Sequence, residues 1–69
     1  MQELSQHRQK LRTDRAAAYL GLSTSTLEKL RLTGGGPEYI KLGRTVVYDP
    51  ASLDEFVAAN RRKSTSVAA

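Results

Sequence analysis

The stretch Ala16–Arg31, AAAYLGLSTSTLEKLR, leaves this chain few folds to choose from. Ala16, Ala17 and Leu20 place small and apolar residues in a short helix, and Gly21 then supplies a position where the backbone turns without a Cβ penalty. Leu22 follows and is expected to point back to the core. Ser23 reads as an N-cap, because its hydroxyl accepts a hydrogen bond from an otherwise orphaned amide in the first turn of a second helix. That helix is expected from Thr24 to about Leu32. Two short helices around a tight corner make a helix-turn-helix.

The faces of the second helix separate. Leu27 and Leu30 stand three apart on a core side, while Ser25 and Lys29 stand four apart on another. A short helix opening with small hydroxyl residues can enter a major groove end-on, with Thr24, Ser25, Glu28 and Lys29 reaching base edges and phosphates. Ser23, Thr26 and Arg31 complete the candidate set on this helix. Any helical hairpin with a solvated outer face has the same pattern, so this stretch alone leaves both readings open.

A length of 69 residues suits one small domain, a size that buries only roughly 60% of its unfolded surface and leaves little room for a large catalytic cleft. With 39% hydrophobic and 26% charged residues the chain is too apolar for disorder throughout. No apolar run has the length needed to cross a bilayer, and MQELSQHRQKLR contains no apolar export signal. The lack of cysteine removes disulfides and zinc-thiolate sites together, so packing and caps must hold the fold. Eleven Lys and Arg against seven Asp and Glu give a net charge of +4, an excess that favours polyanionic partners. Its distribution says more: Arg8, Lys10 and Arg12 precede the first helix, and Arg61, Arg62 and Lys63 follow the last.

Taken in order, residues 1–10 lack periodicity and are read as a flexible basic arm. The domain is expected over 11–60, with Leu11 as its first core residue and Thr13 as the cap of a two-turn helix opened by Asp14. Ala17 is placed at the helix crossing, where a larger side chain would overpack a minimal core. Thr33–Pro37, TGGGP, cannot continue a helix. It lacks the Gly-Lys-Ser/Thr ending of a phosphate-cradling P-loop, so nucleotide binding is set aside.

EYIKLGRTVVY then reads as two strands, Tyr39–Leu42 and Thr45–Tyr48, around a tight Gly43-Arg44 corner. Ile40 with Leu42, and Val46 with Tyr48, are the expected inward sets. Lys41, Arg44 and Thr45 lie on this two-stranded wing, where Arg44 can enter a minor groove or grip a phosphate. Asp49 as N-cap and Pro50 at the first helical position open a last helix. Leu53, Phe56 and Val57 are expected to form its apolar stripe. Asp54 and Glu55 lie off that stripe and read as a solvated face. Residues 61–69 lose the pattern and are read as a disordered basic tail. The whole is expected to be α+β: two short helices, a β-hairpin wing and a closing C-terminal helix.

LRTDRAAAYLGLSTSTLEKL, followed by GGGPEYIKLGRTVVYDPASLDEFV, resembles the excisionase and AlpA-type helix-turn-helix family, small relatives of MerR DNA-binding domains. The likeness covers nearly all of Leu11–Val57. It rests on Ala16, Ala17, Leu20 and Gly21 in the first helix and on the Ser and Thr opening the second. Pro37, Tyr39, Lys41, Leu42, Gly43, Val46 and Tyr48 fit the wing pattern, and Leu53 with Phe56 fits the closing helix, Phe56 replacing a frequent Trp. Thr24 and Glu28 stand where many relatives carry basic or aromatic residues, a departure that weakens any carry-over of base specificity.

The resemblance implies DNA binding by the second helix and the wing, without cofactor, metal or catalytic residues. Arg12, Arg15, Arg61 and Arg62 are the candidate flanking contacts. It further implies either excision of a mobile element beside a separate site-specific integrase, or transcriptional control, in the cytoplasm of a prokaryote or from a phage gene, associated with the nucleoid. Excision is favoured because the sequence stops soon after the wing. An enzyme is disfavoured, since His7 is the sole histidine and no nucleophile-base pair is evident. An adaptor for an acidic protein could use the same basic surface. Head-to-tail self-association on DNA is expected through the arm and tail.

Overall fold

The computed structural model describes residues 9–62, in which three helices and a small antiparallel sheet follow the order β1 (Leu11–Arg12), α1 (Thr13–Leu20), α2 (Thr24–Thr33), β2 (Ile40–Leu42), β3 (Thr45–Tyr48) and α3 (Pro50–Ala59). The expected arm and tail lie mostly outside the described residues. Lys10 is described, and its Nζ stands 3.7 Å from Asp49 Oδ2.

The helix-turn-helix corner is built by local bonds. Gly21 takes a left-handed φ of 77°, its amide donates to the Ala18 carbonyl at 3.1 Å, and the Leu22 amide donates to the Ala17 carbonyl at 2.8 Å. This is a Schellman ending, which satisfies the last carbonyls of α1 and turns the chain at a position where a Cβ is strained. Ser23 caps α2 as expected, its Oγ accepting from the Thr26 amide at 3.1 Å. The end of α2 converges on one carbonyl: Leu30 O accepts from the Gly34 and Gly35 amides and from Thr33 Oγ1. Gly36 then passes so close that a Cβ there would sit 2.8 Å from Leu30 Cβ. Asp49 caps α3 by accepting from the Ala51 amide, with Pro50 opening the helix.

The core is minimal: Ala16, Ala17, Leu27, Tyr48 and Leu53 are buried together, with Leu11, Leu20 and Val46 packed against them. Ala16 and Ala17 give α1 a flat face on which the fully buried Leu27 of α2 and Leu53 of α3 both rest, and burying each such leucine stabilises the fold by roughly 1.5–3 kcal/mol.

Four expectations need correction. Thr13 does not cap α1. The helix begins with Thr13 itself, and Arg12 is its N-cap with no side-chain bond, because β1 keeps the backbone extended up to Arg12. That strand is the second departure: Leu11 pairs with Tyr48 and Arg12 with Val47, giving a three-stranded sheet of order β1-β3-β2 rather than a hairpin alone. Third, Ile40 and Leu42 are not inward but 37% and 59% exposed. The two-residue turn at Gly43-Arg44 pairs Leu42 with Thr45, Lys41 with Val46 and Ile40 with Val47. Opposed residues share a face, so Ile40 and Leu42 belong with Val47 and not with Val46 and Tyr48. Finally, Val57 is 47% exposed. The covered line of α3 runs through Pro50, Leu53 and the half-buried Phe56 at intervals of three, leaving Val57 on its flank beyond so small a core.

Candidate nucleic-acid interface

The cap at Ser23 starts α2 with its first turn facing outward. Leu27 is fully buried, Leu30 is half-buried, and Thr24, Ser25, Thr26, Glu28 and Lys29 are exposed. Thr24, Ser25, Glu28 and Lys29 carry no side-chain hydrogen bond or ion pair among the described residues, so their polar atoms are open to a partner. Ser23 and Thr26 are committed differently: Ser23 Oγ donates to Thr26 Oγ1 at 2.8 Å while accepting from the Thr26 amide. These two hydroxyls hold the first turn together. Leu32, absent from the candidate set, is 84% exposed and falls on the side of Ser25 and Lys29. The signal was present in the sequence, since Leu32 is off the line of Leu27 and Leu30.

Arg31 is half-buried and turned inward. Its Nη1 donates to Tyr48 Oη at 3.1 Å and to Thr13 Oγ1 at 3.3 Å, and its Cζ lies 5.8 Å from the centre of the Tyr39 ring. Tyr39 in turn leans on Tyr48, with ring centres 6.2 Å apart and planes inclined at 52°. A single guanidinium thereby joins α2 to α1, to β3 and to the segment entering the wing. Both Nη1 hydrogens are spent on these bonds, leaving Nε and Nη2 to donate elsewhere. Sequence reading places Arg31 among the candidate contacts but misses this bracket, whose members are distant in the chain.

The wing is the hairpin of β2 and β3. Gly43 takes a φ of 64° at its first corner position, the left-handed value of the primed hairpin turns, and Arg44 follows at the exposed tip. Lys41 is exposed along β2 and Thr45 is half-buried at the start of β3. The flanking residues divide. Arg12 and Arg44, together with Arg31, Thr13, Asp14, Thr45 and Val46, line one open groove of about 280 Å³. Arg15 on α1 and Arg61 and Arg62 beyond α3 are exposed and do not line it. Among the described residues, no cluster of His, Cys, Asp or Glu could hold a metal ion, and no helix is long and apolar enough to cross a membrane.

Two helices around a left-handed glycine corner, an outward-facing second helix and an adjoining arginine-tipped hairpin define a winged helix-turn-helix, an architecture of DNA-binding proteins. The family model for the helix-turn-helix domain matches residues 11–61. The chain belongs to that family, of the AlpA and excisionase type, whose members bind DNA and are typically not enzymes. No curated protein matches the chain.

Proposed function

We propose that the protein is a sequence-specific architectural factor that binds duplex DNA with the N-terminal half of α2 in the major groove and the wing on the neighbouring backbone or minor groove. One observation carries this reading. The exposed surface of α2 presents Thr24, Ser25, Glu28 and Lys29 without side-chain partners among the described residues, with Ser25 and Lys29 opposite Leu27. Small hydroxyls and a lysine can bond base edges and phosphates, and a glutamate in the groove accepts from the cytosine amino group. Lys41, Arg44, Thr45, Arg12, Arg15, Arg61 and Arg62 supply backbone contacts that position the helix.

The family supports a role as an excisionase, arranging DNA at the ends of a mobile element so that a separate site-specific integrase removes it. This work would place the protein with the nucleoid in the cytoplasm of a prokaryote, encoded there or by a phage. The AlpA-type membership also supports a second reading, a small regulator that occupies a promoter. One short helix and one wing match a single module that buries only roughly 600–1,000 Å² on DNA, so side-by-side binding on repeated sites would supply the remaining selectivity. A head-to-tail contact of this kind need not close and can grow along the duplex.

Footprinting on DNA flanking the gene, paired with an excision assay using the neighbouring integrase, tests the assignment. Protection at an attachment site with stimulated excision supports the excisionase. Protection confined to a promoter, with excision unchanged, replaces it by the regulator. No protected site on any flanking DNA overturns both.

A further inference from the structure

We propose that the groove between β1, the start of α1, α2 and the wing tip is a seat for one backbone phosphate of duplex DNA, closed by arginines from three separate elements. The inference deepens the DNA-binding reading and rests on it. Arg12 comes from β1, Arg31 from the last turn of α2 and Arg44 from the hairpin tip, yet all three line the same open groove of about 280 Å³. Three guanidinium groups repel one another unless an anion lies among them, and the groove wall includes a single carboxylate, Asp14. One oxygen of that carboxylate accepts from the Arg15 amide at 2.8 Å. The Arg12 and Arg44 side chains have no hydrogen bond or ion pair among the described residues.

Arg31 is the fixed member. Thr13 and Tyr48 hold its Nη1, and its Cζ lies over the Tyr39 ring, so Nε and Nη2 remain to donate from a preset position. Arginine suits this task because its planar fork matches the oxygens of a phosphodiester. Arg12 and Arg44 close over the bound group from either side, and the Thr13 and Thr45 side chains add hydroxyls to the wall. The seat stands between the recognition helix and the wing. A phosphate held there would fix the distance between the two DNA-contacting elements and the register of α2 in the groove.

The shared chemistry is a phosphate oxyanion, so the test separates a DNA phosphodiester from a free anion. Binding of the full chain to a 20-base-pair duplex of arbitrary sequence is measured across a salt series for the parent, Arg12→Ala, Arg44→Ala and the double variant. Both side chains are exposed and unbonded among the described residues, and thermal melts check that the variants remain folded. Each neutralised phosphate contributes about 0.9 to the slope of log K against log salt. With one shared seat, the double variant loses no more than about 0.9, because the arginines neutralise a single phosphate between them. A loss near 1.8 for the double variant, twice the single value, shows two independent phosphates and overturns the seat while leaving DNA binding intact.

A parent that binds no duplex overturns both readings together. Asp14→Asn is expected to tighten duplex binding several-fold, and an unchanged affinity counts against the seat. Inorganic phosphate titrated against chloride at constant ionic strength should shift the amide resonances of Thr13, Asp14 and Thr45 only at millimolar levels. Micromolar saturation by free phosphate, with the duplex slope unaffected by the variants, would make this a small-anion site and overturn the DNA assignment.

Discussion

Arg31 Nη1 donates to the hydroxyl of Tyr48 at 3.1 Å, tying α2 to the strand that carries the wing. The Tyr48 side chain is fully buried, and the Arg31 bond satisfies a hydroxyl that would be costly to leave unpaired. Arg31→Ala should therefore destabilise the domain by about 1–3 kcal/mol, with Tyr48→Phe costing less because it removes the polar atom along with the bond. Urea unfolding of both single variants and the double variant measures the coupling. Strictly additive losses would show that the two residues act independently.

Gly35 and Gly36 are neighbours with opposite expectations. A Cβ at Gly36 meets Leu30 Cβ at 2.8 Å, whereas at Gly35 the nearest contact is Thr33 Oγ1 at 3.8 Å. Gly36→Ala should cost about 1–3 kcal/mol by overpacking. Gly35→Ala should be neutral or stabilise by about 0.4–1 kcal/mol by restricting the unfolded chain. Melting temperatures that move in the same direction for both would contradict the close approach of the loop to α2.

Ala17 is 1% exposed within the core cluster. Ala17→Leu adds volume where α1 meets α2 and should destabilise by about 1–3 kcal/mol, read as a lower urea midpoint with an unchanged slope.

Ser25 and Lys29 form the predicted reading face. The double variant Ser25→Ala with Lys29→Ala should fold normally, because neither side chain has a partner among the described residues, and should lose roughly 1–3 kcal/mol of discrimination per lost base contact. Competition between the natural site and random duplex measures this. Full retention of the preference would remove that face from recognition. Leu32→Ser is a companion variant: if the exposed leucine touches a thymine methyl, preference changes at a single base position.

Self-association predicts a ladder. Native gels with duplexes carrying one, two and three sites should show cooperative filling, with the second protomer bound more tightly than the first. A single protomer of equal affinity per site on all three would leave a solitary module.

The parts of this fold that were legible in the sequence are the ones specified over a few residues. Gly21 with Ser23, and Asp49 with Pro50, each encode a turn or a helix start through the chemistry of neighbouring amides, and all appear where expected. The hairpin faces were misread because Tyr39 and Val47 blur the alternation. The parity of a two-residue turn decides which residues oppose one another, and it overrides apolar content. β1 was illegible for a different reason: two residues carry no periodicity, and their strand character comes from Val47 and Tyr48. On the site, the free face of α2 follows from helical spacing alone. The inward commitment of Arg31 depends on Thr13, Tyr39 and Tyr48 arriving from three directions.

The pairing of Leu11 and Arg12 with Tyr48 and Val47 also bears on how the molecule comes together. Residues far apart in the chain must meet before the three-stranded sheet is complete, and the entropy of closing so long a loop is recovered only when Tyr48 enters the core beside Ala16, Ala17, Leu27 and Leu53. The hairpin alone is too small to persist in water, and the two helices alone are too short. Wing and helices therefore form and dissolve in one step, and their slowest amide protons should exchange at a common rate.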